Sequence, residues 1–341
     1  MTLDGQGSST IRARRIRSMT SMYVGACATL LLASSVASAA PFPTRDQNPL
    51  LAGFGLPMPM LARIGDEGDW SVATDFNWSS TALMQMRGAE TLVVDAETRE
   101  MRLTLHHTLS ERFALHLQVP YRYTGGGTLD GLIDSFHDVS GTPSGARPDL
   151  PSDQIRIQYT RFGQTPLNIT SSSSGWADSQ LGIGWMLVQT PASALTTWLD
   201  IKLPTGDANK LTGSGATDVS LVIAGEHQLT NNWSTFGQAA VTRLGEGELL
   251  ASQQRSLLWS GLAGIEWRAW RDLSLKLQID AHSAAFDSDL DFLGDKPLVL
   301  TAGGDYRFRS GWRLDLGLSE DIAVEESPDV VFVVGVRREF R

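Results

Sequence analysis

The chain has 341 residues, 42% of them apolar, and a formal charge of −10, a balance that argues against a nucleic-acid binder needing a basic face for phosphates. No apolar run reaches the ~18 to 20 residues of a helical membrane span. A barrel strand needs only about 9 to 11 residues, half of them apolar, so a membrane barrel stays open.

Taken in order, residues 1–39 read as a secretory leader. Arg12, Arg14, Arg15 and Arg17 form a basic start, an apolar stretch runs from Met22 to Val36, and Ala37-Ser38-Ala39 is an A-x-A cleavage site. Cleavage after Ala39 removes Cys27, the one cysteine of the sequence, so no disulfide framework is expected. Residues 40–69 are rich in Pro and Gly and have no period. Asn48 to Leu51 and Phe54 to Met60 are too apolar for a free tail. Two readings stand for this segment: a plug tucked into or under a barrel, or a periplasmic linker.

From Trp70 the period becomes two, as in a strand with one apolar and one polar face. Trp70, Val72, Thr74, Phe76 and Trp78 alternate with Ser71, Ala73, Asp75 and Asn77. Residues 90–109 continue it, with an expected interruption near Asp95-Ala96-Glu97, then a short turn at Ser110–Arg112 and a strand from Phe113 to Tyr123. Pro120 lacks a ladder donor and predicts a distorted point. Residues 125–175 read as one long loop, with a helical piece near Leu129–His137 and a β-like segment at Gln154–Tyr159. After it the rhythm is regular, and Asp272–His282 is its cleanest stretch: Leu273, Leu275, Leu277, Ile279 and Ala281 oppose Ser274, Lys276, Gln278, Asp280 and His282.

Short turns alternate with long loops, and the tally is about twelve strands, an even number as in bacterial barrels. The expected fold is an all-β, closed antiparallel transmembrane β-barrel over 70–341, with short periplasmic turns and long outer loops. Closure removes sheet edges, and in lipid it is obligatory because no water satisfies free backbone groups. Most of the 10 Trp lie near strand ends, as in an interfacial girdle. The predicted inward face carries Arg102, Arg122, Asp200, Lys202, Asp218, Glu226, Glu266, Arg268, Lys276, Asp280, Asp305, Arg307, Arg313 and Asp315. Mixed signs on neighbouring strands point to ion-pair ladders in a narrow interior, as structural glue or as a polar pore lining.

The long loop carries Gly126-Gly127-Thr128-Leu129-Asp130-Gly131-Leu132-Ile133-Asp134-Ser135-Phe136-His137-Asp138, then Ser144 to Asp149 and Gln154 to Ile157. With Glu90 to Thr98 upstream, this resembles the DUF3187 family of Gram-negative bacteria. The resemblance covers roughly Asn48 to Phe340 and is most specific at Phe136-His137-Asp138. It departs at Val139-Ser140, where the family is expected to carry Phe-Gly, and at Asp95-Ala96, where it carries Asp-Gly. The resemblance implies an outer-membrane barrel and brings no established activity.

For chemistry, His137, Asp138 and Ser140 are the candidate catalytic group, without a G-x-S-x-G elbow. His107 and His227 on the outward face are further histidines of interest to a lipid-directed enzyme. Asp287, Asp289, Asp291 and Asp295 alternate like ligands for a hard cation, but lack the Gly and closing Glu of an EF-hand loop. The sequence is therefore read as a non-enzymatic porin, transport, binding or structural barrel with a charged and capped lumen. The other reading is an outer-membrane lipid-modifying enzyme of lipase or deacylase type. No cofactor is expected. Expected partners are outer-membrane lipids, lipopolysaccharide and the barrel-assembly machinery. The loop after Gly125 is expected to fold inward over the mouth, with Asp134 or Asp138 near Arg122.

Overall fold

The computed structural model describes residues 39–129, 131, 154–322 and 327–340. Among these no helix is long and apolar enough to cross a membrane. The strands are β1 (Trp70–Arg87), β2 (Glu90–Ser110), β3 (Phe113–Gly125), β4 (Arg156–Arg161), β5 (Gln164–Ile169), β6 (Ser173–Trp176), β7 (Gln180–Gln189), β8 (Ser193–Lys202), β9 (Asp218–Gln228), β10 (Trp233–Arg243), β11 (Leu257–Arg268), β12 (Leu273–His282), β13 (Leu298–Arg307), β14 (Trp312–Asp321) and β15 (Val330–Phe340). All belong to one antiparallel sheet, in which β4, β5 and β6 stand outside the ring and the other twelve close it. The closing seam pairs β1 with β15 from Trp70↔Phe340 to Ser80↔Val330.

Alternation fixes the two faces of the wall. Along β12 the polar residues Ser274, Lys276, Gln278, Asp280 and His282 are buried inside, while Leu275, Leu277 and Ile279 are exposed outside. Outward Leu and Ile recur around the ring, and Trp70, Trp176, Trp233, Trp267 and Trp312 stand exposed at strand ends, an amphipathic edge suited to a lipid boundary. Trp198 is the exception: it points inward and is fully buried.

Two sequence expectations need correction. The interruption at Asp95-Ala96-Glu97 is absent, because β1 and β2 pair without a break from Trp70↔His107 to Arg87↔Glu90. Alternation fades there because both faces are covered: Leu92 and Val94 lie inside, and Val93 and Glu97 are buried on the outside. In the described parts of 125–175 the β-like segment expected at Gln154–Tyr159 is β4, and two further strands, β5 and β6, stand where a loop was expected. β4 takes the place beside β2 above the end of β3, from Glu90↔Arg161 to Asp95↔Arg156, β5 pairs with β4, and β6 pairs with Tyr121–Thr124 of β3. Each is only 4 to 6 residues long, too short for a period-two signal to stand out. Pro120 sits where β3 changes partner from β7 to β6, and its carbonyl accepts from Ala177 N at 2.8 Å.

Candidate functional site

The lumen is occupied by the chain's own N-terminal segment. Residues 39–64 have no regular structure, and prolines at 41, 43, 49, 57 and 59 remove ladder donors, so their free backbone groups need partners. The polar inner wall supplies them. The rising limb begins with Ala39 packed on Phe236 and Leu262. Lys276 Nζ donates to the Ala40 carbonyl at 3.2 Å and stands 4.3 Å over the Phe42 ring, whose backbone N–H donates to Gln278 Oε1 at 2.8 Å. Higher up, Asp46 Oδ2 lies 2.9 Å from His282 Nε2, and Asn48 Nδ2 donates to the Phe292 carbonyl at 3.1 Å.

The segment reverses at the long-loop end. Leu50, Leu51 and Phe54 join Leu83, Leu92, Ile157, Leu211, Leu249, Phe286 and Phe292 in one buried apolar cluster. Arg45 ties the two limbs by donating to the carbonyls of Ala52 at 3.1 Å, Phe54 at 3.3 Å and Leu56.

The falling limb returns along β8, β9 and β10. Gly55 N donates to Asp218 Oδ2 at 2.8 Å, and Ser220 Oγ donates to the Gly55 carbonyl at 3.0 Å. Gln238 brackets the limb, accepting from Met60 N at 2.7 Å and donating to the Met58 carbonyl at 3.2 Å. Trp198 Nε1 donates to the Leu61 carbonyl at 3.0 Å, Thr196 Oγ1 to the Ala62 carbonyl at 2.7 Å, and Arg63 pairs with Glu226 at 2.7 Å. Beside the limbs, gaps lined by Asp46, Asp280 and His282 on one side and by Asp75, Arg102 and Arg337 on the other leave room for about one water each.

The charged lining forms three clusters. Near the mouth Glu100 holds Arg102 and Arg122, and Arg122 donates to the carbonyls of Leu211 at 2.7 Å and Ala52 at 2.9 Å. Lys202 is a second hub: its ammonium meets Asp178 at 2.7 Å, Asp218 at 3.0 Å, the Gly53 carbonyl at 2.9 Å and Ser214 Oγ. Close approach there requires glycine, since a Cβ on Gly53 would lie 2.7 Å from the carbonyl carbon of Gly213. Toward the short-turn end Lys276 pairs with Asp315 and lies 3.8 Å from Asp305, Arg313 meets Asp305 at 2.8 Å, and Arg307 lies 3.4 Å from Glu266. Asp200 lies 2.9 Å from His116 Nε2, Asp280 accepts from Gln278 at 2.8 Å, and Arg268 closes the inward row of β11.

The other candidates fall elsewhere. His137, Asp138 and Ser140, with Asp134, lie outside the described residues. The described start of their loop leaves over the outer wall, contrary to an inward cap at this point. Glu97, on the outward row of β2, accepts from Thr128 N and Leu129 N and from Trp78 Nε1 at 2.8 Å, and Leu129 packs with Trp78, Leu318, Val330 and Phe332. Outward apolar side chains, unlike the engaged Arg122, offered Leu129 a free surface. The aspartates of 287–295 do not form a cation site: Asp291 pairs with Arg87 at 2.6 Å, Asp287 lies 3.7 Å from Arg255, and Asp295 Oδ1 accepts from Lys296 N at 2.9 Å. No group of three or more His, Cys, Asp or Glu suited to a metal exists among the described residues. His107 stacks on Trp70, and His227 Nδ1 lies 2.8 Å from Ser193 Oγ at the short-turn end. No carboxylate is paired with His227 among the described residues.

Comparison with solved structures places this architecture among outer-membrane barrels. The COG4313 outer membrane channel from Pseudomonas putida F1 superposes with a TM-score of 0.58 at 14% identity, covering 83% of this chain and 99% of that one. The KdgM porin gives a TM-score of 0.43 at 8% identity, covering 80% and 99%. The Ralstonia pickettii toluene transporter TbuX gives 0.42 at 10% identity, covering 89% and 96%. A search of curated proteins by sequence found no match. The model of DUF3187, a protein family of unknown function, matches residues 18–340, and the chain belongs to that family.

Proposed function

We propose that this chain is an outer-membrane channel held shut by its own N-terminal segment. The observation that carries the reading is the double pass of residues 39–64 through the lumen, hydrogen-bonded to the wall at nearly every step. A barrel serving only as a membrane scaffold gains little from a polar lining matched to an irregular backbone. A channel gains a removable stopper, because polar contacts can be exchanged for water when the segment leaves. The export leader and the outer membrane of a Gram-negative cell complete this reading.

The test is conductance in a planar bilayer. Cysteines at Ala62 and Thr196, oxidised to a disulfide, should fix the segment to the wall and hold the pore closed, and reduction should restore openings. Deletion of residues 40–64 should leave a continuously open pore. A deletion variant that refolds, as judged by heat-modifiable electrophoretic mobility, yet conducts no more than the full barrel would overturn the channel reading.

A further inference from the structure

The rising limb starts at a telling place. Ala39 and Ala40 are 5% and 3% exposed, deep among inward side chains, and they flank the bond that the A-x-A pattern marks for cleavage. Ala39 rests on Phe236 and Leu262, and the Ala40 carbonyl is held by Lys276. Toward the short-turn end the lumen beside Ala40 is bounded by the ring of Glu266, Asp305, Arg307 and Arg313. That ring is already closed by its own ion pairs.

A second observation bears on what the site accepts. Glu266 faces Lys276 across the β11–β12 ladder and is 2% exposed. Its Oε2 accepts no hydrogen bond among the described residues, with Arg313 Nη2 3.7 Å away, whereas Asp305 Oδ1 faces Arg307 Nε at 3.4 Å in an ion pair without hydrogen-bond geometry. A buried carboxylate oxygen short of a donor is costly, so Glu266 Oε2 favours an additional charged donor.

We propose that the stopper ends in the free α-ammonium of Ala40, created by leader cleavage and seated beside Glu266 and Asp305. A peptidase of the export route hydrolyses the Ala39–Ala40 amide. The water oxygen goes to the new Ala39 carboxylate, and Ala40 keeps the nitrogen as a protonated amine with three donors. Cleavage therefore precedes docking, the stopper enters the barrel as a free end, and its length is set by the cleavage position. This rests on the channel reading above and adds the chemistry of its tip.

Three measurements decide it. Intact mass of protein from outer membranes should give a chain starting at Ala40, and a start at any earlier residue overturns the proposal. Refolded protein starting at Ala40 should conduct less than the same protein carrying a Gly-Ser-Gly-Ser extension. The extension should behave more like the barrel lacking residues 40–64. If that deletion opens the pore and the extension stays as closed as the Ala40 form, the stopper stands and the seated amine is wrong. If the deletion opens nothing, the channel reading itself has failed. Finally, acylation of the α-amine by a water-soluble ester should be roughly tenfold slower in the folded Ala40 form than in Glu266→Gln, by analogy with protection of buried groups. Equal rates in two equally folded proteins overturn the seat.

Discussion

The two ends of the lumen close in different ways. At the long-loop end, Leu50 and Phe54 are packed into a dry cluster with Leu92, Leu211, Phe286 and Phe292. From the middle of the barrel to the short-turn end, a smaller apolar cluster of Met60, Ala62 and Ile64 with Met186, Trp198 and Val222 is interleaved with hydrogen bonds and an ion pair from Gln278, Gln238, Trp198, Thr196 and Glu226. Packing resists displacement through area removed from water and is indifferent to small shifts in register. Polar anchors add little net energy each, but they specify which residue sits where. The contrast implies an apolar seal at one end and, at the other, a smaller apolar patch whose register is set by polar anchors.

Lys202 stands at the junction, and its loss should have the largest effect. Lys202→Met leaves Asp178 and Asp218 buried without their ammonium, costing roughly 3 to 5 kcal/mol as for other broken buried pairs. Urea unfolding followed by electrophoretic mobility measures it. A cost under about 1 kcal/mol would mean that water already reaches the hub, and that the outer end is less dry than its side chains imply.

Next comes the seal itself. Leu50→Ala should cost about 2 to 5 kcal/mol, the range for large-to-small changes in packed cores. It should also lengthen channel openings in bilayers. Unchanged stability would remove the distinction between a packed and an indexed end.

Much of the wall was legible because its physics is local. In Leu273–His282 each side chain reports its own face, so lipid-facing Leu275 and inward Lys276 follow from period two alone. The inward charges were legible for the same reason. What they bind was not, because partners such as Gly53 for Lys202 and Ala40 for Lys276 are main-chain carbonyls 149 and 236 residues away in sequence. The segment of residues 39–64 is apolar and Pro-rich enough to imply burial, but a chain without period carries no face and hence no register. Of the short strands, β4 showed as a β-like segment at Gln154–Tyr159, while β5 and β6 did not, because they are shaped by pairing with β4 and with the end of β3 rather than by their own pattern.

A smaller effect tests the indexed end. Thr196→Val removes the donor to the Ala62 carbonyl while keeping shape, and should cost on the order of 1 kcal/mol. Amide hydrogen exchange should quicken around Arg63 and leave Leu50 to Phe54 unchanged. Faster exchange along the whole segment would show one cooperative stopper in place of two separately held ends.

The smallest expected effect lies above the ring, where the seal reaches β4. Tyr159 is fully buried beside Leu92 and Ile157 in the apolar cluster, and its hydroxyl donates to Glu90 Oε1 at 2.9 Å. Burial, then the Glu90 carboxylate that accepts this bond, pushes the phenol up to about 12. An unfolded tyrosine ionises near ~10, so the folded state keeps a proton that the unfolded state gives up. The resulting stabilisation is complete below that pH and is lost as pH rises toward 12. Tyr159→Phe should therefore flatten the alkaline end of the stability profile and change little at neutral pH beyond one hydrogen bond, about 1 kcal/mol. Phenolate absorbance gives the direct reading: of the four tyrosines that remain after cleavage at Ala39, the one lost in Tyr159→Phe should be the last to ionise. If the missing step instead falls near the ordinary tyrosine value, water reaches this edge of the seal, and the dry end of the lumen is confined to Leu50, Phe54 and the loops that pack on them.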